Sequence, residues 1–467
     1  MSDRIRTSRI GRGSTVGRYA ARQAVRNARA RFARMTRPSN PDDEAAAREF
    51  LRATDELVDM LGGMKGAAMK VGQMLSIIDL AMIPRDKREH FQQRLAVLRD
   101  SAPAFAFDQM RRVMEDDLGG SLDTLFAEFD TEPIASASIG QVYRARLPDG
   151  SPVAVKVQYP GIASAVRADL KNLALLLRLS KPLLPTASTD SFIEELTFHI
   201  GDETDYLREA NTQHEMATHY AGHPFITVPD AVLPLCGPRV LVTEYIDGMR
   251  FDEIAREPAD VRNRVAEIIY RFYIGSIYLD CQFNGDPHPG NLLLTSDGRV
   301  AFLDFGLFKR MDPTSVDFER KAADLAFDER ADALHALLRT SGVLGPAAPI
   351  TPEQTLEYFY DASPWTFDDE DLEVTGELAG GALMTVADPR SAAFGRMHRQ
   401  TLPPEHFFAR RADFYAFGMI GQLRGTANWH RMAREWVRGD APATELGVAD
   451  TQWRAGRYRA AGACLGP

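Results

Sequence analysis

The sequence predicts an α+β chain in two lobes, a small strand-rich one and a larger helical one, with a helical extension in front. Three observations predict it. Residues 134–158 alternate apolar and polar side chains around a turn at Pro148-Asp149-Gly150, as paired strands do. Most other long stretches repeat apolar residues at helical spacing. Between the helices lies a polar loop, Asn284-Gly285-Asp286-Pro287-His288-Pro289-Gly290-Asn291, followed by Leu292-Leu293-Leu294, Val300-Ala301-Phe302-Leu303 and Asp304-Phe305-Gly306.

Composition narrows the classes. The 467 residues are 45% hydrophobic and 26% charged, as in an ordinary soluble protein. The odd, scattered Cys236, Cys281 and Cys464 form no CxxC pair, so neither a disulfide framework nor a structural zinc site is expected, and a reducing compartment fits. No run of 18 apolar residues is found; the stretch 268–283 is broken by Arg271 and Asp280 and reads as a buried helix. No secretory leader is recognisable, so a cytoplasmic place, peripheral to the inner face of a membrane, is expected, or a mitochondrial one in a eukaryotic source. The net charge of −10 hides an asymmetry: residues 1–37 hold eleven Arg against one Asp, a net +10, and the remainder carries −20.

In chain order, residues 1–40 form the basic arm, which suits an anionic membrane surface, nucleic acid or the acidic remainder of the chain. Residues 41–130 form the helical extension, with Gly62-Gly63 separating two helices, helices at 84–98 and 107–118, and a helical segment over 122–129. A small lobe spans 131–247. It holds the small-residue loop Ala135-Ser136-Ala137-Ser138-Ile139-Gly140, a strand ending in Val153-Ala154-Val155-Lys156, and acids at Glu203, Asp205 and Glu209. The strand 240–246 then leads into Asp247-Gly248, where Glu244 to Ile246 read as a hinge able to bond an adenine edge. The helical lobe spans 248–430, and 261–283 is the apolar helix that carries the polar loop. Residues 431–467 form a C-terminal tail without a readable motif.

The polar loop carries the chemistry. Two Pro and one Gly around His288 stiffen it, so that Asp286 and Asn291 stay close and the hairpin returns Asp304 beside them. Two carboxylates and an amide suit a hard cation such as Mg²⁺, with one Asp left to handle a proton. The spacing from Asp286 to Asn291, followed by Asp304-Phe305-Gly306, matches the catalytic loop and metal-binding turn of protein kinases. On this reading Lys156 steadies ATP phosphates beneath the loop 135–140, Asn291 and Asp304 hold Mg²⁺, and Asp286 orients or deprotonates the attacking water or hydroxyl. His288 either bonds a phosphate oxygen or stabilises the loop.

With Lys70-Val71-Gly72-Gln73 and the Ala-rich loop added to these motifs, the chain resembles the UbiB/AarF family of atypical kinases over about residues 55–310. The resemblance implies a bilobal kinase-like fold whose K-x-G-Q helix (Lys70, Gln73) packs over the active site against Glu203 and Asp205. That leaves Glu209 as the Lys156 partner, with Glu203 the other candidate. It also implies ATP hydrolysis or transfer to a small lipid-like acceptor in place of protein phosphorylation, and a link to ubiquinone biosynthesis. Partners implied are an anionic membrane, a lipid or quinone precursor, and a biosynthetic complex or homodimer. Specific nucleic-acid binding is not expected, since no recognition module follows the arm. Ala in the phosphate loop disfavours positive φ, which supports the departure from ordinary kinases. Ser136 stands where the family has another Ala. Two other readings stay open: a small-molecule phosphotransferase of the aminoglycoside/choline-kinase type, and a silent nucleotide-binding scaffold.

Overall fold

Apolar side chains on alternate residues organise the first of two units. The computed structural model describes residues 105–137, 139–166, 204–345, 349–387 and 404–460. These divide into one unit drawn from residues up to 208 plus 232–243, and a second comprising 209–231 and 244 onward.

In the first unit the strands Gly140–Arg146 and Pro152–Gln158 pair antiparallel, with Val142 opposite Lys156 and Tyr143 opposite Val155. Val153, Val155 and Val157 are buried on one face while Lys156 lies half-buried on the other, the period-two pattern of a strand. The sheet runs in the order Glu128–Phe129, Gly140–Arg146, Pro152–Gln158, Val240–Glu244, with Ala135–Ser136 also paired to the second of these. A helix, Phe107–Leu118, ends at Gly119, whose φ of 70° is the left-handed conformation that suits glycine at a helix end. Arg239 holds this helix to the segment 232–243 through Asp117, Nε to Oδ1 at 2.9 Å.

One expectation is corrected here. The segment 122–129 is helical only over Leu122–Leu125; Glu128–Phe129 is a strand facing Arg146 and Ala145. Phe126 and Phe129 pack with Phe107 and Tyr143 at centroid distances of 5.4 to 5.8 Å, and this aromatic cluster outweighs local helix propensity.

The second unit is built on helix Ala259–Tyr270, which continues as a π-helical turn, Arg271–Gly275, and a last turn, Ser276–Asp280. Cys281 then adopts φ 52° and turns the chain into strand Gln282–Asn284. Gly275 sits at the π turn because a Cβ there would lie 3.1 Å from the Trp436 ring. A four-stranded sheet follows the order Ile226–Thr227, Val300–Phe302, Leu292–Leu294, Met249–Arg250. Phe272 stacks on Phe302 at 3.5 Å, joining helix to sheet.

Residues 431–460 are part of this core. Helix Trp429–Val437 buries Trp429, Met432 and Trp436, and helix Glu445–Ala460 follows. Arg271, buried, reaches Glu267 at 2.7 Å and grips Glu435 with two nitrogens at 2.8 and 3.1 Å. Arg454 forks onto Asp280 at 2.8 and 3.1 Å, and His223 meets Asp450 at 3.2 Å. Among the described residues no helix is long and apolar enough to cross a membrane.

Candidate active site

The loop 284–306 is held by its own backbone and by one amide. Asn284 donates its side-chain N–H to the Asp304 carbonyl at 2.6 Å and accepts the Asp286 N–H at 3.0 Å, so one residue ties the two acidic positions together. The Gly285 N–H bonds the Leu307 carbonyl at 2.7 Å, alongside the pairing of Asn284 with Phe308. A short 3₁₀ turn, Pro289–Asn291, closes the loop. His288 caps it: its Nδ1 accepts the Gly290 N–H at 3.0 Å, which leaves the ring proton on Nε2 in the neutral form. Through this bond the His288 ring stabilises the loop.

The hairpin completes the convergence. Leu292 faces Phe302 and Leu293 faces Ala301, and the Leu303 N–H bonds the Asn291 carbonyl at 2.9 Å, which brings Asn291 to the residue preceding Asp304. Asp304 Oδ1 accepts the Gly306 N–H at 3.0 Å, the fold of an Asx turn. A Cβ on Gly306 would lie 3.4 Å from Asp304 Oδ1 and 3.5 Å from Glu209 Oε2. Buried Glu209, on helix Tyr206–His219, thus stands beside the Asp304 turn.

Tyr273, in the π turn, was not anticipated from the sequence. Burial, and then the charges of Asp286 and Asp304, hold its phenol well above its usual range, so both carboxylates lie close enough to act on one buried hydroxyl. Its only sequence signal is an aromatic residue about two turns of helix before Asp280. For Asn284 the sequence signal is an amide two residues before a loop aspartate.

In the first unit, Ala135 and Ser136 form an exposed short strand facing Val142 and Gln141, and the Ala137 N–H bonds the Gly140 carbonyl at 2.9 Å. Gly140 is needed for packing: a Cβ there would lie 2.2 Å from the Val157 carbonyl oxygen. The Lys156 ammonium lies 5.0 Å from the centre of the Tyr206 ring, a cation–π contact that the sequence did not announce. Gln158 donates to the Thr204 carbonyl at 2.9 Å, and Asp205 accepts the Arg208 N–H at 3.2 Å, capping the helix that bears Glu209. Lys70, Gln73, Ser138, Glu203 and the basic arm lie outside the described residues. In the second unit, the exposed Glu244 carboxylate accepts the Asp230 N–H at 3.1 Å, and Ile246 is half-buried.

The donor set suits a magnesium ion bound together with phosphates. Among the described residues nothing hydrogen-bonds the Asn291 side chain, so its amide oxygen is available, and the Asp304 carboxylate is the second hard donor. No cluster of three or more His, Cys, Asp or Glu suited to a metal occurs among the described residues.

Comparisons with known proteins follow the same lines. The ABC1 atypical kinase-like domain matches residues 97–328. The chain is 31% identical over 340 residues to the rat protein "Atypical kinase COQ8B, mitochondrial", covering 71% of this chain and 63% of that one. It is 33% identical over 279 residues to the Caenorhabditis elegans "Atypical kinase coq-8, mitochondrial", covering 59% and 36%. The chain thus spans between about one third and two thirds of these relatives' lengths. The structure of Mycobacterium tuberculosis Rv3197, solved as a complex with erythromycin, is similar with a TM-score of 0.61 and 30% identity, over 85% of this chain and 98% of that one. The chain has a kinase-like α+β fold and belongs to the UbiB family of ABC1 atypical kinases.

Proposed function

We propose that the protein binds Mg·ATP and transfers or hydrolyses its terminal phosphate, acting on a lipid-like or quinone-precursor acceptor, or on water, at a membrane surface. The observation that supports this reading best is the Asn284 bridge between Asp286 and Asp304, together with the hairpin bond from the Leu303 N–H to the Asn291 carbonyl. Asp286 orients or deprotonates the attacking hydroxyl, and Asn291 and Asp304 hold the metal. Magnesium, when bound, supplies positive charge against the phosphate oxygens. Lys156 contacts phosphates, its ammonium oriented by Tyr206, with Glu209 the acid assigned to it and Glu244 to Ile246 the adenine edge. The loop 135–140, Ser136 and Ser138 included, lies over the phosphates. Lys70, Gln73, Glu203 and Asp205 restrict the acceptor to small molecules. Membrane association rests on the +10 arm and on relatives named mitochondrial.

The test is nucleotide-dependent melting of the full chain. Mg·ATP should raise the Tm of the native chain, and Asp304→Asn and Lys156→Ala should each reduce that rise while melting normally without ligand. Undiminished ATP stabilisation in both variants defeats the assignment. Phosphate release that anionic liposomes stimulate, and that removal of residues 1–37 desensitises, would support the membrane site.

A further inference from the structure

Within the second unit, helices Pro313–Phe327, Pro352–Ala362, Pro404–Leu423 and Trp429–Val437 line a cavity of about 70 Å³, several times the space one water needs. None of its lining residues belongs to the loop 284–306. Tyr278, Phe327 and Tyr358 are among its aromatic walls, and Glu319, Arg410 and Asp413 give it charge.

Among the described lining residues, two carboxylates stand against one guanidinium. Arg410 Nη2 donates to Glu319 Oε2 at 2.9 Å, a neutral pair. Asp413 is left over; among the described residues its one hydrogen bond is with Ser363 Oγ, at a long 3.5 Å. Burial pushes the Asp413 carboxyl up to about 6, with Glu319 adding to the push, while Arg410 and Ser363 oppose it. The buried phenols around it respond in the same sense. Burial and then Asp413 raise Tyr270. Tyr278 is raised by burial and then by Glu319 and Asp413, against Arg410, and burial and Glu319 raise Tyr358 against Arg410. A carboxylate of this kind, among aromatic rings and in a described lining of two carboxylates against one guanidinium, is complemented by an ammonium on a small apolar body. The ammonium would meet both the carboxylate and the faces of the rings. A neutral alcohol could bond Asp413 but would leave its charge unmatched, and an anion would be repelled.

We propose that this cavity binds a small aryl or alkyl amine, its ammonium against Asp413 and its apolar body among Tyr278, Phe327 and Tyr358. The site is separate from the one assigned to ATP and stands whether or not that assignment does.

Calorimetric titration of the full chain with benzylamine, benzyl alcohol and benzoate tests it. Benzylamine should bind at least about tenfold more tightly than benzyl alcohol, and benzoate should not bind. Asp413→Asn should abolish the preference for the amine, and Ala323→Leu, which fills the cavity from its half-buried edge, should weaken both ligands about tenfold. Because Asp413 is part-protonated near pH 6, amine binding there should release protons, seen as heats that depend on the buffer, and the release should fall away by pH 8. Equal affinity for amine and alcohol, no amine binding at millimolar concentration, or the amine preference surviving Asp413→Asn overturns the proposal. Should Asp413→Asn fail to fold, amine binding to the native chain without proton release at pH 6 overturns it instead.

Discussion

The loop 284–306 and the helices 429–460 belong to the same unit but are organised in opposite ways. In the loop, the stabilising contacts join residues within about twenty positions of one another, such as Asn284 with Asp304 and His288 with Gly290. In the C-terminal helices they reach across 164 to 227 positions, from Arg271 to Glu435, Asp280 to Arg454 and His223 to Asp450. Local contacts set the position of the candidate site residues, and distant ones set the stability of the platform beneath them. Disruption of the two regions should therefore separate into lost chemistry and lost folding.

The largest effect is expected at Arg271. Arg271→Ala leaves Glu267 and Glu435 in the core without their cation, and urea denaturation should show a loss of about 3–5 kcal/mol. A loss within the range of an exposed ion pair, below about 1 kcal/mol, would break the comparison. Next is the acid response. Burial pushes Asp280 up, but the His219 contact and the Arg454 guanidinium bring it down to about 2. A carboxylate with a lowered folded pKa contributes stability that is present above its unfolded value, near pH 4, and lost as pH falls toward 2. The contribution is about 2 kcal/mol, and the stability difference between the native chain and Asp280→Asn should shrink over that window. Burial also lowers the His223 imidazole, against the opposing pull of Asp450. The unfolded chain then takes up the proton first, so stability should be full above about pH 6.5 and decline below it, a decline that His223→Gln should flatten.

Asn284→Ala sharpens the other side of the comparison. It strips the Asp304 carbonyl and the Asp286 N–H of their shared partner, at a cost of about 1–3 kcal/mol, and should lower turnover by more than it lowers stability. Turnover that merely tracks the folded fraction would demote Asn284 to a structural residue. The smallest effect is expected at His288. Its hydrogen bond to Gly290 lies on a partly exposed turn, so His288→Ala should cost about 0.5–1.5 kcal/mol with little change in the nucleotide-induced Tm shift. A large loss of that shift would assign the ring to phosphate instead.

Much of the site was legible because it is a short-range device. Pro287, Pro289 and Gly290 restrict the loop, Gly298 with φ 79° turns the hairpin, and the spacing of Asp286, Asn291 and Asp304 follows from those turns. The helix 107–118 and the strand 152–158 were legible at their observed bounds, since periodicity and glycine or proline punctuation coincide there. The strand at 128–129 was not, because two residues become a strand only when the edge of Gly140–Arg146 is present to pair with them. Tyr206 under Lys156 and Tyr273 beside the two aspartates were also illegible: an aromatic residue on a helix reads as core until its neighbours are known.

By itself, then, the sequence determined the acidic loop, its hairpin, the lysine strand and the family, since each is written in turn chemistry and local spacing. Only the tertiary structure decided that 431–460 is core, that Arg271 and Asp280 are buried in ion pairs with distant residues, and that Asp413, among the described residues, hydrogen-bonds no cation. Burial and pairing depend on which distant segments meet, and no periodicity along the chain encodes that.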